Sequence, residues 1–262
     1  MRSGYRGRMS SGDVTGFYDE LAEDYHLIFA DWDASIRWQA EVIGRLLAGH
    51  ERPVRRVLDA ACGIGTQALG LAAAGYDVTA TDVSERSVER CAREAAGRDL
   101  HLRTHVADLR RLDSDVDGPF DCAVAFDNAL PHLLSDADLV AACQALRRVL
   151  APGGLFCASI RDYDTALERR PTGELPRTTQ TADGERVVFQ LWEWTADRYT
   201  VRHFLLHERD GAWDVAERRV TYRALRRREL TSALEHAGFT NVAWLMPKDT
   251  GFYQPVVTAR SE

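Results

Sequence analysis

The chain has 262 residues, enough for one large domain with its own core, or one domain carrying an inserted lobe. Hydrophobic residues make up 45% and charged residues 28%, the balance of a globular protein, and the net charge of −7 argues against a dedicated nucleic-acid binder, which is usually basic. No apolar run approaches the roughly 20 residues that span a bilayer, so no membrane partner is expected.

Residues 1–14 are polar, carry Arg2, Arg6 and Arg8 and lack an apolar h-region; they read as a disordered tail rather than a secretory signal. Residues 15–48 follow helical spacing through Phe17, Leu21, Leu27 and Ile28, then Ile36, Val42, Ile43, Leu46 and Leu47. The stretch 29–34 breaks that pattern, which predicts two helices and a short turn, with Asp33 or Ser35 as the second cap.

From residue 55 the texture changes. A short apolar strand ends at Asp59 and runs into Cys62-Gly63-Ile64-Gly65, followed by a helix over 66–74 that stops at Gly75. Strands are expected at 77–82, 100–106, 120–126 and 155–160. The helix over 84–96 has Ser84 as N-cap, and a second over 136–150 ends at Ala151-Pro-Gly-Gly. The run at 120–126 is almost wholly apolar, as a strand buried on both faces should be. Strands alternating with helices predict a doubly wound, Rossmann-like α/β core over 53–161.

Residues 162–226 differ. Three β-rich runs, at 186–195, 199–208 and 213–225, predict an inserted antiparallel lobe, with Asp210-Gly211 as a hairpin turn. Residues 227–262 then complete the core: a helix over 229–237 stopped by Gly238, and strands at 241–246 and 255–259 as an edge hairpin. The five cysteines (62, 91, 122, 143 and 157) are scattered, with no CxxC pair. They read as reduced buried thiols of a cytoplasmic protein, and no ligand cluster suggests a metal.

The chemistry sits at predicted strand ends. Small residues at Ala61, Gly63 and Gly65 allow a ligand to approach the backbone at a helix N-terminus. Asp59, just ahead of them, would repel a pyrophosphate and suit an ammonium or another hydrogen-bonding amino-acid group, which disfavours a nicotinamide dehydrogenase. Asp82, at the end of the second strand, can accept from both ribose hydroxyls, or merely precede the Ser84 cap. Asp108 and Leu109 can read an adenine by a hydrogen bond and an apolar face; alone, Asp108 is an ordinary turn residue. Asp127, Asn128 and His132 fall in the loop after the fourth strand, where open α/β sheets bind ligands.

Taken together, Asp59-Ala-Ala61-Cys-Gly63-Ile-Gly65, Asp82, Asp108-Leu109 and Leu150-Ala-Pro152-Gly-Gly154 resemble class I S-adenosylmethionine-dependent methyltransferases over residues 54–160. A narrower likeness lies outside that core. The segment from Phe17 to Trp32, the loop from Asn128 to Leu133 and the C-terminal run from Gly251 to Arg260 are similar to glycine/sarcosine N-methyltransferases.

That resemblance implies S-adenosylmethionine as cofactor and S-adenosylhomocysteine as product. It implies that residues 15–52 form a helical lid in which Tyr25, Trp32 and Arg37 close over the cofactor; helix packing and a solvated face are the plainer alternatives. Arg161, just after strand five, matches the family's carboxylate-binding Arg, with Tyr222 as its hydrogen-bonding partner. Tyr25 and Asn128 join them as substrate contacts, Asp127 and His132 as cofactor contacts, and His132 or Tyr222 as an assisting proton acceptor, although no base is required if the neutral amine binds.

The partner expected is a small molecule bearing a carboxylate or other anionic group, methylated on nitrogen as glycine or sarcosine would be. Self-association is left open. Trp192, Trp194 and Trp213 make the lobe aromatic, which keeps a second reading open: a natural-product tailoring methyltransferase with a bulkier acceptor. A non-catalytic cofactor-binding protein is the third.

Overall fold

The computed structural model describes residues 8–9, 13–181, 184–209 and 211–262. The elements, in chain order, are β1 (Arg8–Met9), α1 (Val14–Leu21), a 3-10 turn (Tyr25–Ile28), α2 (Trp32–Ala48), β2 (Arg56–Asp59), α3 (Thr66–Ala73), β3 (Asp77–Asp82), α4 (Glu85–Ala96) and β4 (Arg103–Val106). Next come α5 (Leu112–Asp115), β5 (Phe120–Ala125), α6 (Asp136–Val149), β6 (Leu150–Ser159) and α7 (Tyr163–Arg169). The chain closes with β7 (Gly173–Thr181), β8 (Gly184–Trp194), β9 (Arg198–Arg209), β10 (Ala212–Arg223), α8 (Arg227–His236), β11 (Phe239–Leu245), α9 (Pro247–Thr250) and β12 (Val256–Ser261).

Seven strands form the main sheet in the order β11-β12-β6-β5-β2-β3-β4. The five strands from β6 to β4 run parallel; β12 is antiparallel to β6, and the edge strand β11, antiparallel to β12, runs in the direction of the other five. The strand order reverses between β2 and β5, and the crevice at their carboxyl ends is where such sheets bind ligands. Both faces are covered, so Val57, Leu58, Val78, Cys122, Val124 and Cys157 have no exposed surface. All five cysteines are free and buried.

The second sheet, β1-β10-β9-β8-β7, is antiparallel apart from β1, which runs parallel to β10 at Ala216 and Glu217. Its four long strands, β7 to β10, are inserted between α7 and α8, and Tyr199, Val201 and Val220 join the main core.

Several expectations are corrected. Asp31, not Asp33 or Ser35, caps α2: its carboxylate accepts from the Ala34 N–H at 2.8 Å, because α2 begins at Trp32, earlier than the broken pattern suggested. A 3-10 turn fills the gap between the two N-terminal helices. The Ala151-Pro-Gly-Gly run is not only a helix stop. With Gly153 at φ +76 it forms the start of β6, where the pairing with β5 shifts register. The lobe has a fourth long strand, β7, that the three β-rich runs omitted. Arg8–Met9, within the segment read as a disordered tail, form the short β1, and Asp210 of the expected hairpin turn lies outside the described residues.

Candidate active site

Two cavities share a wall at the carboxyl edge of the main sheet. The first, about 360 Å³, lies over the ends of β2, β3 and β5. The second, about 590 Å³, lies between the N-terminal helices, the end of β6 and the inserted lobe. Tyr18, Tyr25 and Asp127 line both.

The floor of the first cavity is the β2–α3 loop. Gly63 takes φ +51 and donates its N–H to Asp82 Oδ2 at 2.9 Å, and the Ser84 N–H donates to Oδ1 at 2.9 Å. Each Asp82 oxygen therefore holds one backbone donor and has acceptor capacity left, and Asp82 lines the cavity, which suits a vicinal pair of ribose hydroxyls. Burial raises the Asp82 carboxyl above its ordinary value, and the N–H donors of Ser84 and Gly63 oppose that shift. Gly65, at φ +100, does not line the cavity. A Cβ there would meet Cys91 Sγ at 2.7 Å, so its role is close packing of α3 on α4.

Ala61, Gly63, Asp82, Asp108, Leu109, Asp127 and His132 are all brought to the first cavity. Asp108 is bridged by Arg110, whose Nε donates at 2.9 Å and which holds the carboxyl below its usual range; Arg110 in turn reaches Asp138 at 3.0 Å. Asp59, Trp32 and Arg37 lie outside both cavities. Asp59 is 0% exposed, neither carboxylate oxygen has a hydrogen-bond partner, and desolvation pushes its pKa up to about 8. The N–H groups of Ala61 and Ala68 lean toward it and oppose that shift without completing hydrogen bonds. Trp32 is buried against Ile36, Ile64 and Leu69, and its indole N–H donates to Thr66 Oγ1 at 2.9 Å, pinning α2 to the start of α3. Arg37 is exposed.

The second cavity gathers Tyr25, Asn128, Arg161 and Tyr222, the four expected substrate contacts. Asn128 is 4% exposed and at φ +72. Its Oδ1 accepts from the Arg161 N–H at 3.1 Å and the Tyr163 hydroxyl at 2.9 Å, leaving its Nδ2 without a partner. The Arg161 guanidinium stacks on Trp192 at 4.2 Å, donates to the Tyr199 hydroxyl at 3.0 Å and meets Glu174 at 3.3 Å. Glu174 is half exposed.

At the shared wall, Tyr18 hydroxyl and His132 Nε2 are 2.8 Å apart, Tyr18 and Tyr222 hydroxyls 3.5 Å, and the His132 and Tyr222 rings 4.2 Å. Desolvation lowers His132 to about 3 and raises Tyr222 to about 12, so both are neutral at pH 7. Asp127 accepts from Gln39 at 3.0 Å, Gln67 at 2.8 Å and the Tyr253 hydroxyl, while burial raises its carboxyl.

Tyr18, Gln39, Gln67 and Tyr253 were not picked out from the sequence. Gln39 and Tyr253 stand 88 and 126 positions from the aspartate they serve, beyond any local pattern. Tyr18 had a signal, since it lies in the same aromatic–acidic run as Tyr25.

Residues 57–154 match the family described as a methyltransferase domain. Those residues carry a methyltransferase domain. Among relatives of this chain, glycine/sarcosine N-methyltransferase of Parasynechococcus marenigrum is 36% identical over 157 residues, 57% of this chain and 55% of the relative. That of Aphanothece halophytica is 30% identical over 141 residues, 52% and 53% respectively. The aligned region thus spans about half the length of the curated relatives it matches.

The structure of CalS10, an amino pentose methyltransferase from Micromonospora echinaspora with S-adenosylmethionine bound, superposes with a TM-score of 0.76 at 18% identity, covering 92% of this chain and 95% of that one. Such likeness establishes the fold. S-adenosylmethionine is the cofactor of this domain, and the first cavity fits it: a glycine-floored loop, the Asp82 carboxylate and the apolar Leu109 lie along one cleft.

Proposed function

We propose that this protein methylates the nitrogen of a small amine that also carries a carboxylate. The observation that carries this reading is the pair of donors in the second cavity: the Arg161 guanidinium and the buried, unpartnered Asn128 Nδ2. A buried donor without an acceptor is costly, and a carboxylate satisfies both groups at once. The similarity to glycine/sarcosine N-methyltransferases supports the same chemistry.

The cofactor, when bound, supplies a methyl group already activated on a sulfonium. This chain's residues then have three tasks. Asp82, Leu109 and the β2–α3 loop fix the cofactor in the first cavity, and Arg161 with Asn128 fixes the acceptor in the second. Tyr18, Tyr25 and Asp127 bound the passage between them and exclude water. Alignment of this kind contributes roughly 7–11 kcal/mol. The amine lone pair forms the N–C bond as the electron pair of the C–S bond passes to sulfur.

His132, lowered to about 3, is too weak a base at neutral pH to deprotonate an ammonium; with Tyr18 and Tyr222 it holds the wall. The acceptor therefore reacts as the free amine, having shed its proton to solvent. The rate at subsaturating acceptor should climb with pH up to the pKa of the acceptor amine, with no plateau near the imidazole value of about 6.5.

The test is S-adenosylhomocysteine release from S-adenosylmethionine across glycine, sarcosine, dimethylglycine and larger amines and carboxylates. Turnover of a carboxylated amine, with KM raised about 100-fold in Arg161→Ala and cofactor affinity unchanged, supports the reading. Turnover only of acceptors without a carboxylate sinks it. A second reading, tailoring of a bulkier amine, is favoured by the 590 Å³ cavity, far larger than glycine fills, and by the likeness to the amino pentose methyltransferase.

A further inference from the structure

The face of the lobe that roofs the second cavity is aromatic and aliphatic around Trp192 and Val201, and the next row across it is polar. Glu174 of β7 pairs with Gln190 of β8, Gln190 with His203 of β9, and His203 with Arg218 of β10. Alternation along each strand puts these four side chains on the same face, one row beyond Trp192, Val201 and Val220. Glu174, Gln190 and His203 line the cavity.

The row is under-satisfied. His203 is 3% exposed, and neither ring nitrogen has a hydrogen-bond partner. The Arg218 side chain is 11% exposed; its Nη2 donates to Asp24 at 3.1 Å, and its Nη1 has no partner. Buried polar groups are nearly always paired within a protein or by what it binds. Three orphan nitrogens in neighbouring positions of one row, beside a cavity, indicate a missing ligand.

We propose that this row, centred on His203, binds hydroxyl groups of the methyl acceptor, which makes the acceptor a hydroxylated amine larger than glycine. The proposal rests on the amine-methylation reading above. Neutral imidazole presents one N–H donor and one acceptor, and Arg218 adds an N–H. A hydroxyl both donates and accepts, and meets that set without adding charge. A second anion fits less well: Asp24 already faces Arg218, and Glu174 stands in the row. Successive rows on one face lie ~7 Å apart along a strand, so a group at His203 stands a full row beyond the Trp192 on which Arg161 rests.

The experiment compares matched acceptors that differ only in a hydroxyl set roughly 6–8 Å from the carboxylate, about the row spacing (5-hydroxynorvaline with norvaline, 6-hydroxynorleucine with norleucine), using wild type, His203→Phe and His203→Gln. In wild type the hydroxylated member should show a KM about tenfold or more below its deoxy partner. His203→Phe should erase that preference by raising the KM of the hydroxylated members to that of their deoxy partners, and should leave the melting temperature equal or higher, since an unsatisfied polar group has gone. His203→Gln should restore most of the preference.

No preference in wild type overturns the proposal. So does a His203→Phe variant that weakens both members equally. If no amine is methylated, it is the amine-methylation reading that fails. The row is then tested by calorimetric binding of the same pairs in the presence of S-adenosylhomocysteine. Selective binding of hydroxylated members by wild type but not by His203→Phe sustains the proposal; absent or unselective binding overturns it.

Discussion

The two cavities are built by different means. The first is made by backbone: loops at the ends of β2, β3 and β5, whose N–H groups meet Asp82 and whose small residues leave room. The second is made by side chains from distant places, with Asn128 and Arg161 from the main sheet, Tyr222 and His203 from the lobe and Tyr25 from the N-terminal segment. A cavity made by backbone tolerates little change, because altering it alters the fold. One lined by side chains on an inserted sheet can be re-cut at positions outside the core, such as Gln190 and His203, which under the proposed function separates choice of acceptor from hold on the cofactor.

The largest effect should come from the buried acid beneath the first cavity. Asp59 is raised to about 8 from an ordinary value near 4, so its protonated form is favoured in the folded state. Stability from this group is complete below the unfolded value and is lost as pH rises through the folded one. Asp59→Asn should match wild type near pH 4 and gain on it as pH rises. The difference should level off above pH 8, at no more than about 5 kcal/mol. Urea unfolding at a series of pH values measures this, and a pH-independent difference would place the Asp59 charge elsewhere.

Next in size is Asp82→Ala, which strips the acceptor from two backbone N–H groups and from the cofactor. A loss of about 2–3 kcal/mol corresponds to roughly 100-fold weaker S-adenosylhomocysteine binding by calorimetry. Equal affinity in the variant would break the contrast between the two cavities. The smallest effect belongs to the lobe. Tyr199→Phe removes the hydroxyl that accepts from Arg161 and faces Tyr163 at 2.9 Å. Acceptor KM should rise about threefold to tenfold, for about 1 kcal/mol, with cofactor affinity untouched. A matching loss of cofactor affinity would show that the two compartments are not independent.

The same division decides what was legible beforehand. Asp82, Gly63, Asp108 and Leu109 reach the first cavity because strand-end loops keep a fixed relation to the sheet, and sequence spacing carries that relation. Trp32 was expected over the cofactor but packs behind α3, since an indole that covers a ligand and one that pins two helices have the same local pattern. Strand β7 escaped notice because its Leu175 is 91% exposed and Pro176 interrupts it; an edge strand needs neither alternation nor an unbroken run of donors. His203 looked like nothing in the sequence. Only the register of three strands puts it beside Gln190 and Arg218.

Tyr18 and Tyr25 have a further consequence. They stand on α1 and on the turn that follows it, packed edge-to-face 5.8 Å apart, and each belongs to both compartments. Asp24, one residue before Tyr25, is tied to Arg218 of the lobe. The N-terminal segment is therefore one door hung across two rooms. Any displacement of it would open both compartments together.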